Sequence, residues 1–357
     1  MKILNLVSYN ILATIYANKE TYPYTDERYL SHNYRSALIK NDLKNMIDRG
    51  CVICLQEVNY EWYSDLLVFF SQNKYNFLIE SYGNKLNDYM GVAIAYPITF
   101  NLIYYRPVKV KDEIYKNITD KYKKKLEDYS KKKDDSNLKF IPCDPNAKKI
   151  IKPIDSLSFS LEKNNVVMFL IIKNGQKNYA IGNYHMPCAF ADPGAMVIHG
   201  LFYTNICVEL NKKYNKNGAL FMCADMNTKP TELLIKLLEN DSNHKDPFFV
   251  KFPLEKMFNI DLLQNNIYSI YKYLNGDEPE YTNYVLNKNK ENPNGMYMFR
   301  ETLDYIFTNN IKNISKKSIA CVNSFDRLEE HYGVDPLPNA RNISDHLFLY
   351  SKIKLLH

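Results

Sequence analysis

The strongest constraint on this chain is a recurring pattern in which short apolar runs of strand length stop on a polar or charged residue. Gly50 leads straight into CVICLQEV, an apolar run that closes on Gln56 and Glu57. The run ALFMCA ends on Asp225, with Asn227 two residues later, and residues 178–184 deliver Asn183 and then His185. Close to the C-terminus, Ser344-Asp345-His346 opens onto the apolar, β-branched and aromatic run 347–353. Apolar runs of this length without alternation are those of strands buried on both faces. A buried strand is locked by its sheet hydrogen bonds, so its end can hold a carboxylate or an imidazole in fixed geometry. Alone, the Ser-Asp-His triplet reads more readily as a satisfied histidine with an Asx turn entering a strand, and it is the recurrence that points to a site.

In chain order, residues 3–9 read as a first strand ending at Asn10, and residues 33–48 carry Ile39, Leu43, Met46 and Ile47 at helical spacing, stopped by Gly50. A helix over 61–73 and a strand over 89–96 follow. From about 107 to 153 the composition shifts to dense Lys, Asp and Glu, and this stretch reads as a surface insertion in a single domain spanning 1–357. Within it Ile114, Ile118, Tyr122, Leu126 and Tyr129 predict one amphipathic helix. Residues 157–172 and 178–184 read as two strands joined at Asn174-Gly175. Asp192-Pro193 has the form of an N-cap and first helical residue, opening a helix to about Tyr214. Residues 231–240 read as a short helix, 248–294 as loop-rich, and 303–308 as a strand carrying Asp304. Strands alternating with helices in both halves predict an α/β domain.

Composition excludes little but sets the setting. The chain of 357 residues is 46% hydrophobic and 24% charged, enough for a sizeable core. Its net charge of +6 suits a phosphate-bearing partner without requiring one. Thirty tyrosines against one tryptophan resemble the codon bias of an AT-rich genome, which weakens any single tyrosine as a signal. Seven cysteines scattered through apolar strands suit reduced thiols in a cytoplasmic setting, and Cys51 and Cys54, a CxxC without a second pair at zinc spacing, read as packing residues. The first residues alternate as a strand does rather than as a signal peptide, and no apolar run reaches the ~18 residues that span a bilayer.

The polar residues at strand ends are Asn10, Glu57, His185, Asp225, Asn227, Asp304, Asp345 and His346. Four are carboxylates, which would repel one another unless a cation sits among them. Oxygen-rich ligands without cysteine select a hard divalent ion, Mg²⁺ or as a substitute Mn²⁺, and the chemistry expected is metal-assisted hydrolysis of a phosphate ester.

SYNILA around Asn10, LQEV around Glu57, MGVAI at Gly91, NYH at His185, ADMNTKP around Asp225, TLDYIF around Asp304 and SDH at His346 resemble, in order, the motifs of the endonuclease/exonuclease/phosphatase family. SYNILA, and EYTNY followed by LDYIF, are most similar to the CCR4-type branch, which includes nocturnin, Angel and the 2′,5′-phosphodiesterase. The resemblance implies a four-layer α/β sandwich, two packed mixed β-sheets flanked by helices, with the site at one end. It implies Glu57 as the main metal ligand with Asn10 and Asp345 nearby, and Asp225 and Asn227 holding the nucleophile or a second metal. His346 becomes the general base, its tautomer fixed by Asp304, and His185 stabilises charge on the phosphoryl oxygens together with Asn227. Tyr281, Tyr284 and Asn183 are candidate substrate-binding residues. The implied function is a Mg²⁺-dependent 3′-5′ exoribonuclease, deadenylase-like, that degrades single-stranded RNA to 5′-nucleotides. Two alternatives stay open: the same chemistry on 2′,5′-oligoadenylate, DNA or a small phosphorylated metabolite, and a nucleic-acid-binding module without catalysis. Two departures fall near the site: Ala224 and Met226 stand where the family has Gly and Phe, and Tyr184 and Met186 where it has Thr and Leu.

Overall fold

The computed structural model describes residues 3–135, 152–216, 218–239, 252–288, 295–325 and 335–356. The apolar runs pair into two six-stranded mixed sheets. The first takes β13 (Ile319–Val322), β14 (Leu349–Lys354), β1 (Ile3–Asn10), β2 (Val52–Val58), β4 (Gly91–Pro97) and β3 (Tyr75–Ser81), in that order. The second runs β5 (Asn101–Lys109), β6 (Val166–Asn174), β7 (Lys177–His185), β8 (Ala219–Asp225), β12 (Asp304–Thr308) and β9 (Tyr268–Ser269). A separate ribbon pairs β10 (Asn283–Lys288) with β11 (Met296–Glu301).

The absence of alternation in the strands has the expected cause, because each sheet is covered on both faces. Side chains of even number on β2 and β6, Val52 and Cys54 with Met168, Leu170 and Ile172, meet between the sheets. Odd-numbered Ile53 and Leu55 face outward onto α2 (His32–Asp48) and α3 (Tyr60–Gln72), against Ile39, Leu43, Trp62 and Phe70. On the other side Val167, Phe169 and Ile171 face α4 (Val110–Asn117), α6 (Pro153–Glu162), α7 (Pro193–Asn215) and α8 (Leu233–Leu238). Two sheets inside two helical layers make a four-layer α/β sandwich. Full burial of one such aliphatic chain stabilises by about 1.5–3 kcal/mol.

Several local expectations hold. β6 and β7 are joined across Gly175-Gln176 with Gly175 at φ +60, and Asp192 caps α7 by accepting from the Ala195 N–H at 3.0 Å ahead of Pro193. Others need correction. Residues 157–162 belong to helix α6, which Pro153 opens at its first turn; the strand starts only at Val166. The helix expected across 114–129 is two, α4 and α5 (Asp120–Asp135), broken where Ile118 bridges Phe258. Ile114 and Ile118 are fully buried in the helix-side core, and β5 reaches to Lys109, so the start of the lysine-rich stretch is core material. Residues 136–151 of that stretch lie outside the described residues, as do 248–251 and 289–294 of the loop-rich one and residue 240 at the end of the expected short helix. The described part of the latter contains β9, the helix Ile270–Asn275 and β10. No helix among the described residues is long and apolar enough to cross a membrane.

Candidate active site

Strand register brings the polar ends together. Parallel pairing of β7 with β8 sets His185 beside Asp225, and antiparallel pairing of β8 with β12 sets Asp225 beside Asp304. Three site residues thus stand side by side on adjacent strands of one sheet. The other sheet supplies Asn10, which pairs with Gln56 next to Glu57. A β-bulge between Gln56 and Val58 puts Glu57 at φ +59, which turns its side chain out of the strand line and into the cleft. Asn227, at φ +45, is the other site residue in the left-handed region, and its N–H donates to Asp225 Oδ1 at 2.8 Å. Strain of this kind, about 1–3 kcal/mol per residue, persists where the surroundings over-determine it.

His346 comes from the segment before β14, where it bridges Asn283, and its ring reaches Asp304 and Asp225. Its Nδ1 is 2.7 Å from Asp304 Oδ2, and its Nε2 is 3.6 Å from Asp225 Oδ2. The same Asp304 oxygen accepts from Thr282 Oγ1 at 2.6 Å, while Thr282 Oγ1 accepts the Asp304 N–H. Burial raises the Asp304 carboxyl to about 6, although the His346 imidazolium pulls the other way. Burial opposes charge on His346 too, but the Asp304, Asp225 and Asp345 carboxylates outweigh it and raise its pKa well above the ordinary value. Asp345 lies 4.0 Å from His346 Nε2 and accepts from Asn283 Nδ2 at 3.2 Å.

On the opposite wall, His185 Nε2 sits 3.9 Å from Glu57 Oε1 and 3.6 Å from Asp225 Oδ2, with Asn227 Nδ2 at 3.3 Å. Its Nδ1 is 2.6 Å from the Tyr82 hydroxyl. Ligand atoms of Glu57, His185 and Asp225 all lie within 4.8 Å of one another, and so do those of Asp225, Asp304 and His346. Asp225 joins the two groups. Among the described residues, the ion pairs of these carboxylates involve histidine alone, never Lys or Arg. An oxygen-rich cluster whose carboxylates pair with histidine and with no Lys or Arg among the described residues fits a hard divalent cation, with Glu57 and Asp225 as the carboxylates placed to hold it.

Not every expected residue takes its expected part. Asn10 reaches the cluster through its amide nitrogen, donating to Glu57 Oε1 at 3.0 Å and Asp225 Oδ2 at 2.8 Å while its Oδ1 accepts the Leu12 N–H. In this orientation its amide nitrogen aligns two carboxylates, and its oxygen is turned to the Leu12 N–H. Asn183 is fully buried between the sheets: its Nδ2 donates to the carbonyls of Leu55 and Ala93, and its Oδ1 accepts from Gln56 Nε2. That leaves nothing for a substrate. Tyr281 is 2% exposed, packed in the inter-sheet core, with the Arg300 guanidinium 4.3 Å from its ring centre, and Tyr284 is half-buried against it at 5.7 Å. Tyr82 and Thr282 were invisible in the sequence, the first hidden among thirty tyrosines and the second inside the EYTNY stretch.

No protein-family profile matches the chain, and no curated protein matches its sequence. Solved structures do match. ANGEL2, described as a 2′,3′-cyclic phosphatase, superposes with a TM-score of 0.61 at 18% identity over 99% of this chain and 96% of that one. The human Nocturnin catalytic domain gives 0.56 at 18% over 99% and 95%, and an endonuclease/exonuclease/phosphatase protein from Bacteroides vulgatus gives 0.54 at 9% over the whole of both chains. The chain therefore has the endonuclease/exonuclease/phosphatase fold. Within that fold, the Angel and nocturnin structures are the ones that the sequence motifs anticipated.

Proposed function

We propose that this chain is a Mg²⁺-dependent phosphodiesterase, with Mn²⁺ as a substitute, acting as a 3′-5′ exoribonuclease of the deadenylase type on single-stranded RNA. The reading is supported above all by the two linked clusters, Glu57–His185–Asp225 and Asp225–Asp304–His346, whose carboxylates form no ion pair with Lys or Arg among the described residues. Glu57 and Asp225 would hold the cation, which supplies Lewis-acid stabilisation of charge on the phosphate. His346 presents Nε2 to the cleft while Asp304 holds Nδ1, so the imidazole is oriented to take the proton of an attacking water as the P–O bond to the leaving 3′ oxygen breaks. Its basicity is set high by the Asp304, Asp225 and Asp345 carboxylates, and a cation sharing the charge of Asp225 would act to lower it. His185, facing Glu57 and Asp225, and Asn227 line the side where negative charge develops on the phosphoryl oxygens.

The nearest rival keeps the site and changes the bond, since the fold is shared with a protein described as a 2′,3′-cyclic phosphatase. The deciding experiment is a substrate panel with and without Mg²⁺: poly(A), mixed RNA, 2′,5′-linked oligomers, RNA ending in a 2′,3′-cyclic phosphate, and duplex DNA. Release of 5′-nucleotides from the 3′ end, lost in Glu57→Ala and His346→Ala with folding retained, is the expected result. Undiminished degradation by either variant, or turnover of the cyclic end alone, refutes the exoribonuclease reading.

A further inference from the structure

Behind the cluster, the fully buried side chain of Arg35 lies under the turn that follows β1. Its Nη2 donates to the carbonyls of Ile11 at 2.7 Å and Leu12 at 2.5 Å, and its Nε donates to that of Ile343 at 2.7 Å. Trp62, whose ring centre is 5.2 Å from the guanidinium carbon, adds its indole N–H to the Leu12 carbonyl at 3.0 Å. A trans peptide points its C=O and N–H in opposite directions. The two peptide groups whose oxygens face Arg35 therefore send their N–H groups into the site: Leu12 N–H to Asn10 Oδ1 at 3.0 Å, and Ala13 N–H to Glu57 Oε2 at 2.9 Å. Leu12 sits at φ +54, a conformation that costs an L-residue about 1–2 kcal/mol, and the donors from Arg35 and Trp62 are what hold the turn in it.

The choice of a charged residue for this place is itself informative. Among the described residues no carboxylate pairs with Arg35 directly; burial pulls its pKa down to about 10, while Asp345 and Glu57 are among the groups that act on it across space in the opposite sense. Burying an unpaired guanidinium is expensive, and a neutral donor could anchor a loop for less. A cation on the oxygen side of a peptide strengthens the hydrogen bond given by its N–H, because the groups polarise one another.

We propose that Arg35 is a positioning residue of the metal site, acting through the Ile11–Leu12 and Leu12–Ala13 peptide groups to aim the Asn10 amide and fix the Glu57 carboxylate. The inference rests on Glu57 being a metal ligand. Its test is calorimetric titration of Mn²⁺ into the wild-type protein and the variants Arg35→Lys, Trp62→Phe and Glu57→Ala, each checked for folding by urea unfolding. Partners that orient a ligand are worth about 10–100-fold in metal affinity, so Arg35→Lys, which keeps the charge but loses the forked donors, weakens binding about 10-fold or more. Trp62→Phe, which leaves Arg35 in place and removes one donor to the Leu12 carbonyl, has a smaller effect in the same direction. Folded Arg35→Lys protein that binds Mn²⁺ as tightly as wild type overturns the inference; if that variant does not fold, wild-type affinity in Trp62→Phe overturns it instead. Wild-type affinity in Glu57→Ala would instead overturn the reading of Glu57 as a ligand, whatever the Arg35 arm shows.

Discussion

Asn183 offers a test in which structure and sequence give opposite answers. Read from the sequence it binds substrate; in the structure its side chain ties β7 to β2 and β4 through hydrogen bonds at 2.9 Å to Leu55, 2.8 Å to Ala93 and 2.7 Å from Gln56. Each is buried, so each contributes about 0.5–1.5 kcal/mol when formed and more when a partner is left unpaired. Truncation in Asn183→Ala removes three of them and opens a small void, giving a loss of about 3–5 kcal/mol. Against a typical total of about 5–15 kcal/mol this is a large fraction. Urea unfolding followed by circular dichroism at neutral pH measures it, with kcat and KM determined on the folded fraction. A stability loss under about 1 kcal/mol together with a raised KM would refute the inter-sheet role and restore the substrate-binding one.

Two further outcomes follow from the same coordinates. His199 is buried, its ring nitrogens 2.9 Å from the Tyr184 hydroxyl and 3.1 Å from the Ser160 carbonyl, and burial lowers its pKa from 6.5 to about 4. Above pH 6.5 it is neutral folded or unfolded; as the pH falls towards 4 only the unfolded chain takes the proton, so stability drops by about 2–3 kcal/mol between pH 7.5 and 4.5. A His199→Gln variant whose stability declined equally steeply over that window would contradict this. Lys74, exposed just beyond α3, holds φ +60, so Lys74→Gly should raise stability by about 0.5–1 kcal/mol in thermal or urea unfolding, and a loss would show that the left-handed strain is absent.

The strands that carry the site were legible because burial on both faces leaves an apolar run in β2 and β8 and shorter ones in β7 and β12, while β1 shows itself by alternation. The elements that were missed are those where that signal fails. β3 and β5 have half-buried or exposed positions along most of their length, and α6 reads as strand because Leu157, Phe159 and Leu161 alternate as strand residues do. Of the candidate site, the residues at strand ends converge, since register alone sets His185, Asp225 and Asp304 abreast. What the sequence hid is the support. Whether Asn10 turns its oxygen or its nitrogen to the carboxylates depends on one N–H two residues on, and the reach of Tyr82 to His185 spans 103 positions in the chain. Arg35 stands in a helix otherwise readable as an ordinary amphipathic one, where nothing marks an arginine as buried.

Because Asn10 and Glu57 come from one sheet and His185, Asp225 and Asp304 from the other, the candidate site straddles a seam. Cys54 and Cys223, each only two or three residues short of a site carboxylate, fill that seam with small thiols. A bulkier residue at either place would pry the two halves apart at the hinge of the cleft. Substitutions well away from any solvent or ligand should therefore damage turnover more than they damage folding, and a screen for temperature-sensitive activity would find them in the dry middle layer.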